Sequence, residues 1–207
     1  MKRIWLVRHG ESKAQTMEQY SFDADLSDWG VAQAKSLQQA LNEKNLTFRE
    51  VHISPLRRAR QTFEALDIDK NISEAKLTKC FFDIRLIEEM SATSYQTLLP
   101  YETLPNYATV INEEEWLDPL NERIKKFCDN LVMNEDLCGD ILIVCHMGVL
   151  SHLVRKFQSY CASSNESLDY YYFHNCSFSI LEITDDCQCK VVDVDNVNHL
   201  REKKLLR

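Results

Sequence analysis

Three stretches of this chain bring together side chains able to do chemistry. Arg8-His9-Gly10 stands near the start, Arg57-Arg58-Ala59-Arg60 crowds three guanidinium groups into four residues, and His146-Met147-Gly148 follows much later. Guanidinium forks bind oxyanions through paired hydrogen bonds, which lysine cannot do. A neutral imidazole with one ring nitrogen held and the other free can attack an electrophile or carry a proton. The background charge sharpens this reading. Lys and Arg number 24 against 32 Asp and Glu, a formal charge of -8, so the chain as a whole repels polyanions. That disfavours sequence-independent binding of nucleic acid or an anionic membrane, and leaves a small anion captured locally by clustered arginines.

Short apolar runs precede each stretch. Arg3 to Val7 ends abruptly at Arg8-His9-Gly10, Glu50 to Ile53 is stopped by Ser54-Pro55, and Ile141 to Cys145 ends at His146. Each reads as a strand delivering polar groups to its C-terminal end, the last being a central strand covered on both faces. Helices alternate with them. Val31, Ala34, Leu37 and Leu41 predict a helix over 28–43 with Ser27 as its N-cap, and Ala59, Phe63 and Leu66 mark the next. Asp118-Pro119 starts another, with Leu120, Ile124, Phe127 and Leu131 as its apolar stripe, and Val149 to Phe157 form the one after it. Cys80 to Ile84 predict a third strand, residues 176–183 and 188–194 an edge hairpin, and the charged segment 198–207 a surface helix.

This alternation predicts an α/β fold, a mostly parallel central sheet flanked by helices on both faces, in which ligands bind beyond the carboxyl ends of the strands. Arg8, His9, Ser54 and His146 all fall at that edge. With 207 residues and 44% hydrophobic content, the expectation is a single domain over 1–207. Residues 89–117, with Pro100 and Pro105 and no sustained period, read as an insertion or lid. The eight cysteines contain no C-x-x-C pair, and no N-terminal apolar stretch is long enough for a signal peptide, so free thiols and a cytoplasmic location are expected. Cys187 and Cys189 suit a strand edge better than a metal site, which would need two further ligands.

At Leu6-Val7-Arg8-His9-Gly10-Glu11-Ser12 the chain resembles the histidine phosphatase superfamily, in particular its phosphoglycerate-mutase-like branch, whose signature is R-H-G after the first strand. Other elements follow in register. Leu26-Ser27, Gly30 and Gln33-Ala34 are similar to L-[ST]-x-x-G-x-x-Q-A, and Ser54 to Thr62 match S-x-L-x-R-A-x-Q-T, which selects Arg58 from its neighbours. Leu86-Ile87-Glu88 resembles L-x-E, and Val144 to Gly148 the segment around the second histidine; the likeness runs from residue 3 to about 160, with Asn175-Cys176 beyond. Five elements in register are specific where one tripeptide is not.

The resemblance implies a phosphoglycerate-mutase-like architecture and a metal-independent, cofactor-free phosphatase. His9 would form a phosphohistidine, while Arg8, Arg58 and His146 hold the phosphoryl oxygens, with Gly10, Ser12 and Gln15 as further phosphate contacts. Glu88 would give a proton to the leaving oxygen and then take one from water, the adjacent Glu89 being the alternative. The implied partner is a small phosphorylated substrate; oligomeric state is not readable. Two departures bear on the activity: Ala14 and Gln15 replace the tryptophan and asparagine usual in mutases, and no Lys or Arg lies between Glu89 and Glu122. Both favour hydrolysis of a modestly charged substrate, with Tyr95, Tyr101, Tyr107 and Trp116 as candidate pocket walls. The alternatives are a phosphoglycerate mutase and a low-turnover module that only binds phosphate.

Overall fold

The computed structural model describes residues 1–19, 21, 23–68, 76–77, 120–134, 136–160 and 171–207. The described strands are β1 (Lys2–Arg8), β2 (Phe48–Ile53), β3 (Lys76–Leu77), β4 (Gly139–Cys145), β5 (Phe178–Ile183) and β6 (Cys189–Asn196). The described helices are α1 (Asp28–Asn42), α2 (Arg57–Ala65), α3 (Leu120–Met133), α4 (Met147–Gln158) and α5 (Asn198–Glu202).

The strands form one sheet in the order β3-β2-β4-β1-β5-β6. β1, β2, β3 and β4 run parallel, and β5 and β6 close one edge as an antiparallel hairpin. The mostly parallel sheet and edge hairpin are those expected. Side chains alternate across it. Ile4, Leu6, Ile141 and Ile143 point to the face covered by α3 and α4, through Ile124, Cys128, Leu150 and Leu153. Trp5, Val7, Leu142 and Val144 point to the other, covered by α1 and α5 through Ala34, Leu37, Leu41 and Leu200. Each fully buried aliphatic side chain contributes roughly 1.5–3 kcal/mol relative to leaving it in water. Burial on both faces explains why β1 and β4 read as continuous apolar runs.

Ser27 caps α1 as anticipated, its hydroxyl accepting the Gly30 N–H at 3.0 Å. The surface helix expected over 198–207 is corrected. Only Asn198–Glu202 is helical, His199 and Leu200 are buried, and Leu205 and Leu206 pack against the core. The charges at Arg201, Glu202, Lys203 and Lys204 mask an apolar spacing that holds this segment on the fold. Residues 80–84, the segment 89–117 and the helix start at Asp118-Pro119 lie outside the described residues.

Candidate active site

β1 and β4 are hydrogen-bonded neighbours with Arg8 opposite Cys145, so the residues that follow them emerge side by side. Ladder bonds continue past the strand ends: His9 N donates to the Cys145 carbonyl at 3.0 Å, and Ser54 N to the Val144 carbonyl at 2.9 Å. Three segments distant in sequence are thereby aligned on one edge. The His9 and His146 rings come together there with centroids 5.0 Å apart. Arg58, in the first turn of α2, reaches in from the side, its Nε 3.2 Å from His9 Nε2. Arg8, His9, Arg58 and His146 are all buried.

The α2 start needs outside help, because Leu56 at its N-cap offers no side-chain acceptor and Arg57 and Arg58 oppose the positive end of the helix dipole. Asp23 supplies it, accepting the Arg57 N–H at 2.6 Å. Asp25 accepts the Arg57 side chain at 2.9 Å and Gln61 Nε2 at 2.8 Å. Nothing in the local pattern around Asp23 announced this role.

The hydrogen bonds assign the imidazole nitrogens. His9 Nδ1 lies 2.6 Å from the Gly10 carbonyl, a pure acceptor, so Nδ1 carries the proton and Nε2 the lone pair. Burial first, then the charges of Arg58 and Arg8, hold the His9 pKa well below the ordinary histidine value, which keeps the ring neutral. A buried neutral imidazole with its lone pair at Nε2 has the protonation state that a nucleophile needs.

His146 is fixed from its opposite side. Ser54 Oγ lies 2.7 Å from His146 Nε2 and 3.4 Å from the Leu56 amide nitrogen, and the tautomer that could serve an anion through the other ring nitrogen is the one in which Ser54 donates to Nε2. Nδ1 then bears the ring proton. That atom is buried and makes no hydrogen bond among the described residues. Burial, then Arg58, His9 and Arg8, hold this histidine well below its ordinary pKa too, so its contribution is a neutral N–H donor. Ser54 is a positioning residue. A Ser54→Ala variant should lose about tenfold in kcat/KM by freeing the His146 tautomer, and about 1–3 kcal/mol of stability from the orphaned buried nitrogen. Steady-state kinetics with a denaturation midpoint would check both, and unchanged kinetics would remove the assignment.

Arg8 donates to the Phe173 carbonyl and lies 3.9 Å from Met147 Sδ, while its Nε makes no hydrogen bond among the described residues. Burial pulls its pKa below arginine's usual value, opposed chiefly by the neighbouring Tyr172 phenol. A buried guanidinium whose hydrogen bonds go to neutral acceptors, with the Asp195 charge acting on it but no ion pair among the described residues, is suited to receive an anion. The orphaned Arg8 Nε and His146 Nδ1 are donors suited to such an anion.

The other predicted contacts are placed differently. Gly10 donates its N–H to Thr62 Oγ1 at 2.9 Å. It must be glycine because an added Cβ would stand 2.6 Å from the Gly30 carbonyl oxygen, so the close approach it permits is to α1. Ser12 N donates to Gln15 Oε1 at 3.0 Å, and Gln15 exchanges amide hydrogen bonds with Asn175, whose Nδ2 also donates to the His9 carbonyl at 2.9 Å. Ser12 and Gln15 thus sit beside the histidine loop, already bonded to each other. Glu88, Glu89, Tyr95, Tyr101, Tyr107 and Trp116 lie outside the described residues. Sequence reasoning missed the loop before β5: Phe173 against Arg8, and His174, which Asp195 grips through both its backbone N–H at 2.7 Å and Nδ1 at 2.6 Å. Only the Asn175-Cys176 pair pointed toward it.

Comparison with known proteins agrees with this geometry. The family model described as the histidine phosphatase superfamily (branch 1) matches residues 4–196, which extends the likeness through the edge hairpin. The adenosylcobalamin/alpha-ribazole phosphatase of Salmonella typhimurium is 31% identical over 171 residues, covering 78% of this chain and 82% of that protein. Among solved structures, the alpha-ribazole phosphatase of Shigella flexneri superposes with a TM-score of 0.64 at 21% identity, covering 94% of this chain and 96% of that one. Phosphoserine phosphatase of Entamoeba histolytica, complexed with 3-phosphoglyceric acid, gives a TM-score of 0.63 at 15% identity, covering 97% and 100%. A match across nearly the whole chain, with two buried histidines and two buried arginines at one edge of the sheet, has a single reading: the chain belongs to the histidine phosphatase superfamily, branch 1.

Proposed function

We propose that the chain is a phosphatase that hydrolyses a small phosphomonoester through a phosphohistidine on His9. The observation that carries the reading is the state of that ring: neutral, Nδ1–H committed to the Gly10 carbonyl, Nε2 exposed to Arg58. With a phosphoryl group between the two histidines, Nε2 attacks phosphorus and the bond to the leaving oxygen breaks on the opposite side. Little covalent chemistry falls to the rest of the site, which positions the group and offsets its charge. Arg8, Arg58 and the His146 Nδ1–H serve the equatorial oxygens. Glu88, carried over from the L-x-E element, gives its proton to the leaving oxygen; water then attacks the phosphohistidine, Glu88 takes up a proton, and phosphate departs.

The relatives' names point to small substrates: alpha-ribazole and phosphoserine in some, and fructose 2,6-bisphosphate in a relative 28% identical, of whose length this chain covers 33%. Charge on this chain favours the first two. Beyond Arg8 and Arg58, two of the other cations on these elements, Arg57 and Arg207, are already paired with Asp25 and Glu11, and 89–122 adds no Lys or Arg. A substrate with one phosphoryl group and an otherwise weakly charged body fits; a bisphosphate does not. A panel of phosphorylated sugars, glycerates, nucleosides and amino acids should therefore release phosphate best from neutral-bodied monoesters, with inhibition by vanadate, a mimic of the five-coordinate transition state. Mutase turnover in a coupled assay primed with 2,3-bisphosphoglycerate, without net phosphate release, would overturn hydrolysis. Failure of vanadate to bind would overturn the catalytic reading itself.

A further inference from the structure

Glu11 stands two residues beyond His9, and both its backbone and its carboxylate are tied down. Its N–H donates to Gln33 Oε1 at 3.0 Å, its carbonyl accepts the Ser27 N–H at 2.9 Å, and its carboxylate accepts the Ser27 hydroxyl at 2.7 Å. The same carboxylate takes a two-pronged grip from Arg207, Nε to Oε2 at 2.8 Å and a second N–H to Oε1. The Arg207 guanidinium also lies over the Trp29 ring, 4.6 Å from its centroid. Two residues earlier, the Leu205 carbonyl accepts from Trp29 Nε1 and from Gln33 Nε2, both at 3.1 Å. The segment after α5 therefore reaches the histidine loop twice, at the Glu11 carboxylate through Arg207 and at the Glu11 backbone through Leu205 and Gln33.

An exposed ion pair on its own contributes little. This one is bidentate and stacked on an indole, and its glutamate side chain is 11% exposed against 53% for the arginine. Burial pushes the Glu11 carboxyl up, but the hydrogen bonds from Arg207 and Ser27 and the Arg207 charge outweigh it, and the group is held below the usual carboxylate range. Glu11 is therefore an anion in the very loop that must receive another anion.

We propose that Arg207 is a positioning residue for the oxyanion site: it neutralises and anchors Glu11, and so fixes the His9–Ser12 turn that carries the nucleophile. The proposal rests on the site's being a phosphoryl site. Removing the guanidinium leaves an unneutralised carboxylate two residues from His9 and frees the turn, so the cost falls on binding more than on the chemical step.

An Arg207→Ala variant is expected to raise KM and the vanadate Kd about five- to tenfold at low salt, with kcat within about twofold, the penalty shrinking as salt screens it. Adding Glu11→Gln, which keeps an acceptor for Ser27 but removes the charge, should recover the charge part of the deficit and its salt dependence, about two- to threefold in each value, while the unanchored turn leaves the remainder. Hydrogen exchange at the amides of Glu11 and Ser12 should quicken in Arg207→Ala. Wild-type KM and wild-type exchange in that variant would overturn the proposal, as would a binding deficit that Glu11→Gln fails to reduce. If vanadate fails to bind even the wild-type protein, the phosphatase reading falls, and the exchange measurement alone then decides the role of Arg207.

Discussion

His9→Ala abolishes phosphate release, by a factor of at least about 10⁴, because removal of a nucleophile leaves only the binding and electrostatic remainder of the site. The variant also fails to become labelled when mixed with a phosphodonor and quenched, whereas the wild-type protein yields a phosphoenzyme that is labile in acid and stable in alkali, the signature of a phosphorus–nitrogen bond. Folding is not expected to suffer. Among the described residues the His9 ring bonds to the adjacent Gly10 carbonyl and to Arg58, while the sheet, the α1 cap and the Gly10–Thr62 contact do not depend on that ring. A thermal midpoint near that of the wild type, with turnover lost, separates chemistry from stability. Retention of turnover would show that Nε2 is not the atom that attacks, whatever its placement.

Much of this site could be read from the sequence because its residues sit immediately after strands that announce themselves. β1 and β4 are apolar on both faces, so Ile4 to Val7 and Ile141 to Cys145 stand out without any need for periodicity, and the next residue in each case is polar and buried at the candidate site. Parallel neighbours then bring Arg8-His9 and His146 together by register alone. What escaped notice depends on partners far away in the chain. Asp23 capping α2, Asp195 holding His174 and Arg207 holding Glu11 join residues separated by 34, 21 and 196 positions, and none lies in an apolar pattern that betrays its partner. Ser54 was placed at the right edge, but only the coordinates give its contact with His146 and hence the nitrogen that faces the pocket. The segment after Asn198 was misjudged for a related reason. Its charges suggested solvent, whereas Leu200, Leu205 and Leu206 are spaced to bind it to the core and to the histidine loop.

Glu88→Gln is expected to separate substrates by their leaving groups. An alkyl phosphate releases an alkoxide that needs a proton as the bond breaks, and loss of a positioned general acid costs about 10²–10⁴ in rate. A nitrophenolate is stable enough to depart unprotonated, so with p-nitrophenyl phosphate the first step of the variant should be nearly intact. The second step is different. In the proposed mechanism, hydrolysis of the phosphohistidine uses the same carboxylate as a base toward water, and its loss would let the phosphoenzyme outlive its formation. The variant should therefore show a burst of nitrophenolate close to one equivalent, a slow steady state, and phosphoenzyme accumulated well above the steady-state level trapped from the wild type. With an alkyl substrate there should be no burst, because the first step has become the slow one. Glu89→Gln supplies the control: the two glutamates are adjacent, and a side chain one position along cannot share the geometry required for in-line protonation. If Glu89→Gln gives the burst and Glu88→Gln does not, the donor is Glu89, and the match to L-x-E chose the wrong neighbour. If neither variant discriminates between alkyl and aryl leaving groups, the proton comes from a group outside this element, and the acid–base half of the mechanism must be reassigned while the His9 half stands.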